Sequence, residues 1–178
     1  MVNGRDLSID DTARKAYPHV SEIRHVHHGG NSSGVVDGAS AVLLASPSYA
    51  ADHGMKPRAK VTMAAVAGDE PVIMLTAPGP ATDLVLKKAG MTLGDIDLFE
   101  VNEAFAAVLL KWLRYTGADW NKVNVNGGAM ALGHPIGATG GMLIGTIVDE
   151  LERRDLSTGL VTMCTGGGMA TATIIERV

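Results

Sequence analysis

The chain has 178 residues, a length that suits one large domain or one domain with appendages. Hydrophobic residues make up 46% of it, enough to build a core and to exclude global disorder. Fifteen Lys and Arg against nineteen Asp and Glu leave a net charge of −4, without the basic surface that nonspecific nucleic-acid binding needs.

Residues 1–34 are polar and rich in Gly, His and Ser, and read as loop with one short helix over Ile9 to Tyr17. Arg5, Asp6, Asp10 and Asp11 without an apolar segment do not make a secretory signal. In residues 35–55, Asp37-Gly38 precedes a small-apolar run, Ala39 to Ala45, that predicts a buried strand. A short helix from Pro47 to His53 follows, with Gly54 as its C-cap.

From residue 56 onward, strand and helix signals alternate. Ala59 to Ala67 is a strand; Asp83 to Lys88 lies in a short helix after Pro80 that Gly90 ends. Ile96 to Val101 is a strand and Glu103 to Tyr115 a helix, with Lys111 and Arg114 near its C-terminal end. Val123 to Val125 is a short strand, Ala138 to Arg154 a long helix. Leu160 to Cys164 and Met169 to Glu176 are strands split by Gly166-Gly167-Gly168, which predicts an antiparallel pair. The alternation predicts an α/β layered fold with a mixed sheet. Gly137, Gly141 and Gly145 share one helix face and predict close packing there. Ala138 to Val148 carries no charge and reads as a buried helix, with His134 just before its N-terminus.

Several chemistries are excluded. Cys164 is the only cysteine, so no intrachain disulfide and no cysteine-based metal site can form. Val123 to Val148, the longest run free of Asp, Glu, Lys and Arg, contains Asn124, Asn126, His134 and Pro135 and is not a membrane span. His25, His27 and His28 have no carboxylate or cysteine to complete a metal set. Neither a dinucleotide fingerprint nor a Walker-type phosphate loop is present.

Four segments can carry chemistry. Asn102-Glu103-Ala104-Phe105 stands where a strand ends and a helix begins; Asn102 there is either a helix cap or a ligand-facing group. Asn126 to Gly140 holds His134 between Gly133 and Pro135, on a constrained backbone. Cys164-Thr165-Gly166-Gly167-Gly168 places unobstructed N–H groups beside a thiol, as an oxyanion site requires. Gly30-Asn31-Ser32-Ser33-Gly34 forms a turn.

In this order the four segments resemble the thiolase family, over about five-sixths of the chain from Gly30 to Val178. Asn124 to Gly140 and Cys164 to Val178 are the most specific stretches. The match is to the C-terminal part of a thiolase subunit. The resemblance implies Claisen condensation of acyl-CoA thioesters, or the reverse thiolysis, in lipid and fatty acid metabolism. It implies that Cys164 moves the α-proton and that His134 activates the nucleophilic cysteine. With a water held by Asn102, His134 would also stabilise the enolate oxygen. The Gly166 N–H would be half of a second oxyanion hole. Ser33 matches a pantetheine contact, and Met74 and Phe105 match the acyl pocket. A thiolate base needs a depressed pKa, which nearby N–H groups can supply.

Acyl-CoA and CoA are the implied partners, and no metal or redox cofactor is needed. The implied fold is α/β: a thiolase-fold C-terminal half with a mixed, mainly parallel sheet and helices on both faces. Residues 1–34 would be the tail of the loop domain, 35–55 the last strand and helix of the N-terminal domain, and 56–178 the C-terminal domain. The family's acylated cysteine lies in its first half, for which this sequence has no candidate. We therefore expect the 178 residues alone to be inactive. A companion chain carrying the N-terminal half, a shortened chain, or self-association as a homo-oligomer would account for this. The expected location is cytoplasmic, with no nucleic-acid or membrane partner. The competing reading is a non-catalytic thiolase-like scaffold or CoA/lipid-binding module.

Overall fold

The structure, a computed structural model, describes residues 8–178; Arg5 and Asp6, which enter the reading of the chain's start, lie outside the described residues. Its centre is a four-stranded sheet of β1 (Ala59–Gly68), β2 (Leu98–Val101), β3 (Thr158–Thr165) and β4 (Met169–Arg177), in the order β1-β4-β3-β2. β4 pairs antiparallel with β1 and β3, and β3 pairs parallel with β2. The mixed sheet and the antiparallel closing pair are as expected. The mainly parallel character is not: only β2 and β3 pair parallel, across a helical crossover, whereas β3 and β4 form a hairpin and β1 pairs antiparallel with β4 over a long separation in sequence.

Helices cover both faces. On one, α3 (Pro78–Ala89) and α4 (Ala106–Thr116) bury Val85, Leu109 and Trp112 against Phe99, Val101, Leu160 and Ile174. Trp112 Nε1 donates to Thr82 Oγ1 at 2.9 Å, so the indole is buried with its polar end satisfied. On the other face, α6 (Thr139–Arg153) packs Leu143, Ile147 and Leu151 on Leu98, Val161 and Ile175. The four-residue spacing of Leu143, Ile147 and Leu151 puts them on one face and makes that helix amphipathic. Met142, Gly145 and Thr146 are only half-buried, so Ala138 to Val148 is buried along one face and not all round.

Several boundaries shift for local reasons. α3 begins at Pro78 and contains Pro80 in its first turn, where the N–H that proline lacks has no intrahelical acceptor. It ends on Gly90, at φ 68°. Ile96 follows a 3₁₀ turn (Leu93–Asp95), so β2 starts only at Leu98. α4 starts at Ala106, because Glu103 is engaged in the loop before it. The expected strand from Val123 to Val125 is reduced to one bridge between Val123 and Phe99, since Asn124 at φ 45° turns the chain away. A short helix, α5 (Ala129–Leu132), follows.

The expected buried strand at Ala39 to Ala45 is not formed. The segment is exposed, with Leu43 at 81% and Leu44 at 74%. Neither edge strand of the sheet, β1 or β2, takes it as a neighbour, so its backbone has no ladder. It is pinned instead through Ser40 Oγ, which donates to the Ala138 carbonyl at 2.8 Å. Helices α1 (Ile9–Ala16) and α2 (Pro47–Asp52) stand near their expected positions, each with a serine cap, Ser8 and Ser46. Gly137 precedes the N-cap of α6, so it does not share a helix face with Gly141 and Gly145, contrary to expectation; only Gly141 makes a close contact, against Ser40, and at Gly137 and Gly145 a Cβ would meet open space. No helix among the described residues is long and apolar enough to cross a membrane.

Candidate active site

Because β2 and β3 run parallel, their carboxyl ends open on the same side of the sheet, where α/β folds place ligands. Asn102 follows β2 directly and its backbone N–H donates to the Thr162 carbonyl at 3.0 Å. Cys164 lies two residues beyond Thr162, near the end of β3, and pairs with Ala170. Gly166, Gly167 and Gly168 then turn the chain, the last two at φ 84° and 81°. A Cβ on Gly168 would strike the backbone of Asp69 to Pro71, and Asp69 N–H donates to the Gly168 carbonyl at 2.7 Å. The loop leading to Met74, itself at φ 76°, is thereby clamped to the glycine turn.

His134 enters from the loop between α5 and α6. Its backbone N–H donates to the Gly34 carbonyl at 2.8 Å, and its ring Nδ1 lies 2.6 Å from Thr139 Oγ1. Thr139 Oγ1 donates its only proton to the Pro135 carbonyl at 2.9 Å. It therefore accepts from Nδ1–H, and the network assigns the neutral imidazole with a lone pair on Nε2. That lone pair faces Asn102 Nδ2 at 3.4 Å. Asn102 is 1% exposed, and its Oδ1 is buried with no hydrogen-bond partner among the described residues. Burial holds the His134 pKa below its ordinary value, in keeping with a neutral base.

The sequence-predicted residues fall into three groups. Asn102 and His134 meet. Ser33 and Phe105 meet through the loop Asn31 to Gly34: Ser33 N–H and Oγ both donate to the Ala104 carbonyl, and Ser32 bridges Phe105. The same loop holds His134 through Gly34, so it clasps both sides of the site. Cys164 and Gly166 stand at the glycine turn, with the Met74 loop against it. The expected depression of the Cys164 pKa is not found. Cys164 is 8% exposed, and burial pushes its thiol up by more than a backbone hydrogen bond lowers it.

Glu103 and Asn124 are the residues that sequence reasoning missed. Asn124 bonds both the N–H and the carbonyl of Val101, substituting for a strand neighbour, and its Nδ2 also donates to Glu103 Oε1 at 2.9 Å. Glu103 Oε2 accepts from the Met130 N–H at 3.2 Å, in the first turn of α5. Glu103 thus ties the end of β2 to the loop that delivers His134. The available signal was Gly128, whose missing side chain makes room for this carboxylate.

The family model for the thiolase C-terminal domain matches residues 55–177. A steroid 3-ketoacyl-CoA thiolase of Mycobacterium tuberculosis is 54% identical over 146 residues, covering 82% of this chain and 36% of that protein. An acetyl-CoA acetyltransferase of Paracoccus denitrificans is 50% identical over 175 residues, covering 98% of this chain and 44% of that protein. The crystal structure of the Bacillus anthracis acetyl-CoA acetyltransferase superposes with a TM-score of 0.82 at 42% identity, over 84% of this chain and 38% of that one. The chain thus spans less than half the length of each of these relatives.

Proposed function

Because this chain belongs to the thiolase family, we propose that it supplies the proton-transfer half of a carbon–carbon acyl transfer between coenzyme A thioesters. The carrying observation is the pairing of the His134 Nε2 lone pair with Asn102 Nδ2 beside the carboxyl ends of β2 and β3. A neutral imidazole whose Nε2 lone pair is held only by a long amide contact can exchange that contact for the proton of a nucleophilic thiol. Once protonated, the same Nε2–H donates to the enolate oxygen of the second thioester. Fixed donors of this kind contribute about 3–4 kcal/mol each.

Cys164 exchanges the α-proton. Its raised pKa suits the cleavage direction, in which the S–H bond breaks, the α-carbon takes the proton and the sulfur keeps the electron pair. In condensation the thiolate form does the reverse. The Gly166 N–H receives the oxyanion of the acylation step. Ser33 lies along the pantetheine arm, and Met74 and Phe105 border the acyl chain. Cys164 is the only cysteine in the sequence, so the acylated cysteine comes from polypeptide outside these 178 residues.

The test is acetoacetyl-CoA thiolysis, measured with the chain alone and after mixing with a nucleophile-bearing thiolase half. The chain alone should give none, and the mixture should turn over. His134→Ala and Cys164→Ala should each abolish that turnover while keeping the wild-type melting temperature. Ordinary thiolysis by the chain alone, or a fully active Cys164→Ala mixture, would sink the assignment.

A further inference from the structure

Behind His134, between the sheet and α6, lies a cavity of about 280 Å³ lined by Glu100, Asn126, Thr139, Met142, Thr146 and Asp149 among others. Glu100 is in β2 and 3% exposed, and its carboxyl has no hydrogen-bond partner among the described residues. The neighbouring carboxylates are all compensated. Glu103 is held by Asn124 and the Met130 N–H, Glu150 by Arg153, Arg154 and Asn126, and Asp149 by Arg58. Among the described residues no Lys, Arg or His lines the cavity. His134 lies on the far side of Thr139 and is neutral above its lowered pKa.

A carboxyl in this position is either neutral and short of a partner, or ionised and uncompensated. We propose that the cavity binds an organic cation, an ammonium or guanidinium group, which pairs with the ionised Glu100 carboxylate. Asn126 gives its Nδ2 to Glu150 and keeps its Oδ1 as a further acceptor, with Thr146 and Asp149 beside it. The group arrives as a free amine or as a basic side chain of a polypeptide. Leu132, in the cavity wall and 66% exposed, offers apolar surface to the second.

Binding is coupled to a proton. Burial, and then the charges of Glu103 and Glu150, push Glu100 up to about 8. Below that pH an incoming cation displaces the carboxyl proton to solvent; above it the carboxylate is already formed. Affinity therefore rises with pH and levels off above about 8.

The test is titration of the full chain with propylguanidinium, which stays cationic throughout, at pH 6.5 and pH 9.0. Chemical shifts of the Asn126 side-chain amide and of the Gly127, Gly128 and Gly133 amides report the site. Binding should be roughly tenfold tighter or more at the higher pH. Glu100→Gln should lose it, and so should Thr146→Leu, which narrows the cavity and leaves the carboxyl group in place. Neutral propylurea should not bind. A blocked Leu-Arg-Leu peptide forms the second arm: tighter binding than propylguanidinium assigns the cation to a polypeptide, weaker binding to a free amine. No shift at pH 9.0, equal affinity at both pH values, equal binding of propylurea, or unchanged binding by a folded Glu100→Gln or Thr146→Leu would overturn the proposal.

Discussion

The carboxylate of Glu103 occupies the space that a side chain at Gly128 would need. The two residues are far apart in sequence, and their contact closes the loop between Asn102 and His134. Gly128→Ala should push the carboxylate off Asn124 and the Met130 N–H, costing about 1–3 kcal/mol. The alanine is otherwise compatible with the backbone, since φ at Gly128 is −146°. Denaturant unfolding of the variant checks this, and an unchanged midpoint would disprove the contact.

Thr139 sets the tautomer of His134 by accepting from Nδ1–H while donating to Pro135. Thr139→Val removes that acceptor and leaves the Nδ1 proton unsatisfied, a loss of about 1–3 kcal/mol. In the thiolysis assay with the nucleophile-bearing half, kcat should fall about 10- to 100-fold. Thr139→Ser keeps the hydroxyl and should stay near wild type. A Val variant as active as the Ser variant would show that the hydroxyl does not position the ring.

Gly137→Leu enters open space and should change stability by no more than about 0.5 kcal/mol. Gly141→Leu meets Ser40 and should break the Ser40–Ala138 hydrogen bond. Amide chemical shifts of residues 38–44 should change in the Gly141 variant only. Equal changes there in the Gly137 variant would reverse the assignment of the close contact.

Stability should depend on pH through Glu100. Its pKa rises from 4.5 to about 8 on folding, because burial disfavours the charged form. A carboxyl shifted upward contributes its stability fully below pH 4.5 and loses it as pH rises through about 8. Glu100→Gln lacks this titration. Its stability relative to wild type should therefore improve by on the order of 1–3 kcal/mol between pH 5 and pH 8.5. His134 runs the other way: its lowered pKa contributes stability above the ordinary histidine range that is lost as pH falls through the folded value. Melting of both proteins across this range checks the difference, and a constant gap would contradict the burial of an uncompensated Glu100.

The repeating parts of the fold were legible because their signals are local. β1 and the β3–β4 hairpin announce themselves by apolar runs and Gly166-Gly167-Gly168, and α6 by its uncharged first half and its helical spacing. Asn102 and His134, whose side chains meet, stood out in the sequence by their places at a strand end and before a helix. What failed depends on contacts made at a distance. Ala39 to Ala45 reads as a strand by composition, yet a strand exists only where a neighbour accepts its hydrogen bonds. Glu103 reads as helix because nothing nearby in sequence reveals that Gly128 and Met130 come to meet it. Cys164 reads as an activated thiol from its glycines, but its pKa is set by how deeply β3 is packed.

The order of the sheet has a consequence for synthesis. Among the described residues β1 finds its only strand neighbour in β4, from Ala59 opposite Arg177 to Gly68 opposite Met169. β3 likewise needs β4 on one side. The first strand of this sheet thus leaves the ribosome with its partner still untranslated. Until β4 emerges, the apolar residues of β1 and the α3 face packed on it have no sheet to close. Such long-range pairing slows folding and prolongs the exposure of an open strand edge.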